Sequence, residues 1–215
     1  MTQPVRILAF AGSLRRDSYN KRLVAIAAHG ARAAGAHVDV LDLRDFPMPI
    51  FDEDLERDSG MPETARAFKA QLVAHEGLLL ACPEYNSSIT AALKNAIDWA
   101  SRAAPGDPPL VAFRGKIAAL MSASPGGFGG LRGLVTVRSI LGNIGVLVLP
   151  DQVVVAKAHE AFEADGRLKD SRQHASVEHL GAELVSVVAR LTGKPGGPPA
   201  ATSAPGGASR KGPAR

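Results

Sequence analysis

Three short stretches of this chain hold the residue types and spacings that could do chemistry. The first is Gly12-Ser13-Leu14-Arg15-Arg16-Asp17-Ser18-Tyr19-Asn20. Before it runs Val5–Ala11, an apolar segment suited to a strand buried on both faces. After it, Leu23, Ile26, Ala27, Ala31 and Ala34 recur at helical spacing. Two hydroxyls, an arginine pair and several backbone N–H groups therefore stand at the positive end of a helix, a place for an anion and most naturally a phosphate. Ser13, Ser18 and Asn20 can hydrogen-bond its oxygens, and Arg15 or Arg16 can offset its charge. An ordinary strand-to-helix turn capped by Ser18 or Asn20 accounts for the same residues. The common nucleotide fingerprints fail here: no Gly-Lys-Ser/Thr is present, and Gly12 is the only glycine of a would-be Gly-x-Gly-x-x-Gly.

The second stretch is Pro83-Glu84-Tyr85-Asn86-Ser87-Ser88-Ile89, which runs into Thr90-Ala91-Ala92-Leu93-Lys94-Asn95-Ala96-Ile97-Asp98-Trp99. A proline after a buried strand, then an acid, an aromatic ring and an amide, gives a rigid turn suited to a planar heterocycle with polar edges. Taken singly, Tyr85 is also a plain amphipathic surface residue, Asn86 a turn former, and Trp99 a helix-packing residue. The third stretch is Ser124-Pro125-Gly126-Gly127-Phe128-Gly129-Gly130. Its glycines let backbone approach a ligand with no side chain between them, or simply make a flexible turn before a helix. Cys82 reads as a small buried packing residue, with a redox role as the alternative. The histidines form no metal pattern, since His174 and His179 are five apart and share no helix face. Asp52-Glu53-Asp54 reads as a solvated acidic turn in a long 44–62 connection, a length at which loops often carry function.

Strand-like and helix-like segments alternate along the chain and must position these loops. Strands are expected at 5–11, 38–41, 77–82, 116–121 and 146–149, with 153–155 continuing the last or forming a small extra strand. Helices are expected from Asn20, at 63–75, 90–101 and 131–144, and at 171–191, where Val177, Leu180, Leu184, Val187 and Leu191 align. The pattern predicts an α/β fold: a doubly wound five-stranded parallel sheet of order 2-1-3-4-5 with helices on both faces. All three loops then leave the carboxyl ends of strands, where ligands bind in such sheets.

At 215 residues, 46% apolar and 21% charged, the chain is that of one globular domain. The net charge of +4 does not mark a nucleic-acid binder. Residues 193–215 hold Lys194, Arg210, Lys211 and Arg215 and no acid. Without those four, the 25 Lys and Arg fall to 21, equal to the 21 Asp and Glu, all of which lie in 1–192. The expected division is a domain at 1–192 and a Pro/Gly/Ala-rich basic tail at 193–215, whose composition predicts disorder. No apolar run suffices to span a bilayer, and no signal segment opens the chain, so a cytoplasmic location and no membrane partner are expected. One cysteine allows no intrachain disulfide and fits a reducing compartment.

Together, Gly12-Ser13-Leu14-Arg15 with Ser18 and Asn20, Pro83-Glu84-Tyr85-Asn86 with Leu93-Lys94-Asn95-Ala96-Ile97-Asp98-Trp99, and Ser124-Pro125-Gly126-Gly127 with Gly129-Gly130 resemble the NADPH-dependent FMN reductase family. Its members are flavodoxin-like proteins that include chromate, quinone and azo-dye reductases. The resemblance covers roughly residues 5–190 in order and spacing. It implies bound FMN, with NADPH or NADH as donor and a small acceptor: a quinone, azo or nitro compound, chromate or free flavin. It further implies that Ser13, Arg15, Ser18 and Asn20 hold the FMN phosphate with Tyr19 beside it. Pro83, Glu84, Tyr85 and Asn86 line the isoalloxazine, and Ser124, Gly126 and Gly127 close its other side. No catalytic side chain and no metal are expected, because the flavin carries the chemistry. Arg16 faces solvent or a second phosphate of the nicotinamide cofactor. By the same resemblance the protein is a homodimer or homotetramer, built through the 44–62 loop and the 102–114 segment. Thr90 departs from the family's frequent proline and implies a slightly less rigid turn. A flavodoxin-type electron carrier acting on protein partners is the alternative, though such carriers are strongly acidic. A flavin-free regulatory or scaffold module is a third reading.

Overall fold

The interior strand β1 (Arg6–Ala11) is apolar on both faces because helices cover both sides of it. In the computed structural model, which describes residues 3–195, Ile7, Ala9 and Ala11 face one core, while Leu8 and Phe10 face the other. The same alternation runs through β3 (Gly77–Ala81) and β6 (Ile117–Ala123). With β2 (His37–Asp42) and β7 (Leu147–Val155) these strands form one parallel sheet ordered β2-β1-β3-β6-β7, the predicted winding.

One face is covered by α1 (Tyr19–Ala33) and α7 (Ser171–Thr192). These helices touch backbone to backbone. A Cβ on Gly30 would stand 2.0 Å from the Glu178 carbonyl, and one on Gly181 would stand 2.0 Å from that of Ala27. The other face is covered by α3 (Glu63–Val73), α4 (Ala91–Ser101) and α5 (Leu131–Asn143).

Two short helices and a hairpin depart from expectation. The acidic run at 52–54 is the start of a short helix, α2 (Glu53–Ser59), because the Asp52 carboxylate accepts the Asp54 and Leu55 N–H groups as an N-cap. Residues 84–89 form a tight hairpin of β4 (Glu84–Tyr85) and β5 (Ser88–Ile89), with a further short helix α6 (Ala158–Ala161) after β7. The fifth strand runs on through 153–155, the continuation expected as one alternative, and forms one long edge strand with a register break opposite Ala118–Leu120. Pro150 lies within that break, where a ladder donor is not needed, and the Arg138 guanidinium donates to the Leu149 carbonyl at 2.7 Å.

Of the predicted tail, Gly193 ends α7 in the left-handed region and Lys194 pairs with Glu76 at 2.6 Å. The rest of it, 196–215, lies outside the described residues. None of the described helices is long and apolar enough to cross a membrane.

Candidate functional site: three braced loops at the carboxyl edge

Strands β1, β3 and β6 lie side by side and run in parallel, so the loops at 12–18, 82–90 and 124–130 leave the same edge of the sheet. Between β1 and β3 the winding reverses, which opens the crevice where doubly wound sheets bind ligands.

Ser18 takes the N-cap position of α1, but its side chain makes no capping bond, and the first turn contains no acid. The leading N–H groups of this 15-residue helix thus have no side-chain acceptor, which is the arrangement that receives an anion. Ser13 is buried, and its Oγ accepts the Arg15 N–H at 3.3 Å. The Arg15 guanidinium donates to the Asp17 carbonyl at 2.6 Å and lies 5.0 Å over the Tyr19 ring. Tyr19 in turn stacks on Phe162, with centroids 6.0 Å apart. At the end of β2, hydrogen bonds from Arg44 and Lys21 outweigh the effect of burial and hold the Asp42 carboxyl far below the usual range. The Lys21 bond ties α1 to β2.

Asn20 is a correction to the sequence reading. It lies inside the first turn and does not cap the helix. Its side chain is buried and doubly bonded to one residue: Nδ2 donates to the Ala123 carbonyl at 2.8 Å, and Oδ1 accepts the Ala123 N–H at 2.9 Å. That amide joins the first loop to the end of β6, which gives the side chain a bracing role.

Two further side chains join the remaining pairs of loops. The Thr90 hydroxyl donates to the Gly12 carbonyl at 2.6 Å and accepts the Leu93 N–H at 3.1 Å, capping α4. The turn is thereby fastened to the first loop, so the threonine does not loosen it. Glu84 accepts the Gly133 N–H at 3.1 Å and the Arg132 Nε–H at 2.9 Å, which fastens the hairpin to the start of α5. Its carboxylate therefore faces α5, and only its backbone is left to line a ring. Ser122, fully buried, donates to the Cys82 carbonyl at 2.7 Å and adds a second tie between β3 and β6. Each pair of loops is thus held by at least one buried or half-buried side chain.

The hairpin turn Asn86-Ser87 has positive φ at both residues, 50° and 67°, as a two-residue type I′ turn requires. It leaves Tyr85 60% exposed. Across the edge, Phe128 is 65% exposed, with the Arg132 guanidinium 5.2 Å over its ring. Between them Gly126 and Gly127 present open backbone: a Cβ on Gly127 would meet nothing within 4 Å. Gly130 is different, because its φ is +90° and a Cβ would stand 1.9 Å from Ser122 Oγ. Ser124 Oγ accepts the Gly126 N–H at 3.3 Å, which shapes this turn. Pro83 is buried beneath the hairpin. Exposed rings, open backbone and an uncapped helix end together fit a flat ligand with a phosphate tail.

Cys82 is fully buried, and burial pushes its thiol up to about 12, so it carries no thiolate at neutral pH. Trp99 is fully buried, and its Nε1 donates to the Pro49 carbonyl at 2.8 Å. Asn95 holds the same connection through Phe51 N–H and the Pro49 carbonyl, both at 2.8 Å. The 44–62 segment is therefore pinned onto α4. Among the described residues, no group of His, Cys, Asp and Glu is placed to hold a metal ion.

The family model for NADPH-dependent FMN reductase matches residues 5–160, a span that contains all three loops. An NAD(P)H-dependent FMN reductase of Pseudomonas aeruginosa is 36% identical over 194 residues, covering 90% of this chain and all of that protein. An NAD(P)H:quinone oxidoreductase of Solanum tuberosum is 34% identical over 198 residues, covering 89% of this chain and 97% of its own length. Among solved structures, the flavoenzyme NAD(P)H:(acceptor) oxidoreductase FerB from Paracoccus denitrificans superposes with a TM-score of 0.70 at 26% identity. That match covers 86% of this chain and 98% of FerB. With motif order, sheet winding and full-length similarity in agreement, this chain belongs to the NADPH-dependent FMN reductase family.

Proposed function

We propose that the chain is an FMN-dependent NAD(P)H oxidoreductase acting on small acceptors, quinones first among them. The carrying observation is the uncapped, acid-free first turn of α1 set beside exposed Tyr85 and Phe128 on one braced edge. The relatives named as FMN and quinone reductases support the same reading. The domain is residues 1–192, followed by the basic tail.

FMN, when bound, would accept hydride from NAD(P)H and deliver the electrons to the acceptor. The chain's own part is binding and positioning. Ser13, Ser18 and the leading N–H groups of α1 take the phosphate, with Arg15 offsetting its charge and Tyr19 supporting Arg15 from below. Pro83 and the backbone of Glu84, Tyr85 and Asn86 flank the ring on one side, and Ser124, Gly126 and Gly127 on the other. Asn20, Thr90 and Glu84 act through the loops they tie, fixing how far the phosphate cradle stands from the ring. These ties are made within the chain itself, which lowers the ordering cost of binding. By family resemblance the expected assembly is a homodimer or homotetramer built through the 44–62 loop, where Ile50 is exposed, and the 102–114 segment, and the expected compartment is the cytoplasm.

The test is anaerobic. Purified protein is yellow, NADPH bleaches it, and a small quinone restores the colour with steady turnover. Bleaching without quinone turnover would favour an electron carrier acting on protein partners. Colourless protein that stays colourless after incubation with FMN would sink the reading.

A further inference from the structure

A second concavity opens on the outer side of the first loop, away from the sheet edge. Its volume is about 800 Å³, and it lies between one face of α1, the start of α7 and the 163–167 turn. That turn is held by the Phe162–Leu168 bridge and by the Glu163 N–H on the Arg167 carbonyl at 2.8 Å. Ala25 and Ile26 supply its apolar lining. Arg16, Asp17 and Ser18 belong both to this wall and to the phosphate loop, so the two sites are contiguous.

The arginine charges here are unspent. Elsewhere Arg6, Arg44, Arg57, Arg102 and Arg132 each face a carboxylate. Arg16, Arg22 and Arg167 line the cavity, and their guanidiniums make no ion pair or hydrogen bond among the described residues; Arg22 merely lies 6.0 Å over the Phe162 ring. Three carboxylates share the lining: Asp17, Asp165 and Glu178. Glu178 stands 2.9 Å from His29 and 3.5 Å from His174. The Asp165 carboxylate accepts the Arg167 N–H at 3.0 Å, keeping an oxygen free. Lys21, also in the wall, is committed to Asp42.

A bare anion does not suit this set, because three carboxylates oppose it. A ligand carrying both phosphates and hydroxyl donors does. Guanidiniums bind phosphate by paired charge-assisted bonds, and carboxylates accept from ribose hydroxyls. The volume is that of a small-molecule site. We propose that this cavity binds the phosphorylated adenosine group of a nucleotide, with Arg16, Arg22 and Arg167 on phosphate and Asp165 or Asp17 accepting from a free ribose hydroxyl. Two sources share that chemistry: the adenylate end of the nicotinamide donor, or a separate adenine nucleotide. The first deepens the proposed function and rests on that reading.

The experiment titrates the purified protein, flavin included, with adenosine 2′,5′-bisphosphate in a calorimeter, and compares Arg167→Glu, a substitution on an exposed turn outside the cofactor cradle. Saturable binding to the wild type, weakened tenfold or more in the variant at unchanged flavin content, supports the site. If the variant also raises KM for NADPH with kcat held, and the bisphosphate competes with NADPH, the occupant is the donor. Loss of binding with KM unmoved and no competition assigns a separate nucleotide. Absence of saturable binding to the wild type, equal affinity in Arg167→Glu, or pyrophosphate binding as tightly as the bisphosphate would each overturn the proposal. Calorimetry reads binding whether or not flavin is present, so a protein that binds the bisphosphate but carries no flavin contradicts the proposed reaction and leaves the cavity standing.

Discussion

Thr90→Val removes one hydroxyl and leaves shape and backbone almost unchanged. The hydroxyl caps α4 through the Leu93 N–H, and loss of such a cap costs about 1 kcal/mol. It also supplies the Gly12 carbonyl with its donor at a buried position, and stranding that acceptor costs about 1–3 kcal/mol more. The sum, about 2–4 kcal/mol, lowers the melting temperature by roughly 4–16 °C for a chain of this size. Gly12 opens the phosphate loop, so a loop freed from its tie must be reordered by FMN. If the 1–3 kcal/mol lost at that carbonyl appears in binding, FMN affinity falls about 5- to 150-fold. Thr90→Ser keeps both bonds and stays close to wild type. Thr90→Pro is the informative control. The φ of −72° is one that proline adopts, and the preceding Ile89 lies in an extended strand that proline tolerates. That variant loses the same hydroxyl but regains about 0.4–1 kcal/mol through a stiffer unfolded chain, so it melts between Ser and Val. Thermal melts of the apo forms and fluorescence titration with FMN read both effects. A Thr90→Val protein melting within a degree of wild type, with equal FMN affinity, would refute the bracing argument.

Other perturbations have calculable signs. Asn20→Ala strands the Ala123 N–H and carbonyl, and costs about 2–5 kcal/mol in urea denaturation; Asn20→Asp replaces a donor with a carboxylate against the Ala123 carbonyl and gives no rescue. Cys82 resists alkylation by iodoacetamide in the native protein at pH 8 and reacts fully once unfolded, because its thiol is neutral and buried; rapid native labelling would contradict this. Burial pushes the Lys116 ammonium down to about 8 from 10.5, with Glu76 offsetting part of the shift. Between those values the unfolded chain binds more protons than the folded one, so stability rises with pH across that window, by about 3 kcal/mol in all. The difference in urea stability between wild type and Lys116→Met, followed from pH 7.5 to 10.5, should show that rise, and a flat difference would exclude it.

The sheet was legible because its strands are apolar on both faces and are separated by helical periodicity, as in Ile7–Ala11 and Leu78–Cys82. The three loops were legible because their compositions are unlike ordinary connections. What each polar side chain does there was not. Asn20 has the chemistry of a phosphate ligand, and only the tertiary position of Ala123 reveals its bracing role. Glu84 reads as a polar edge for a heterocycle, yet its carboxylate turns to Arg132 and Gly133, 48 and 49 residues away. Thr90 was within reach, since a threonine immediately before Leu93, Ala96 and Ile97 is an N-cap signature. Its second bond, to Gly12, spans 78 residues and has no local trace. The acidic run at 52–54 is exposed to solvent as read, but it is the start of a helix capped by Asp52 and not a turn. The cavity between α1 and α7 has no motif, since Arg167 is far in sequence from Arg16 and Arg22.

A crystal structure of the FMN-loaded protein tests the central claim most directly. The account predicts the phosphate within hydrogen-bond reach of Ser13, Ser18 and the first N–H groups of α1, and the ring between the Pro83–Asn86 hairpin and the Ser124–Gly127 turn, with the Asn20, Thr90 and Glu84 ties unbroken. A flavin seated elsewhere, or a phosphate held by an Asn20 side chain released from Ala123, would contradict it.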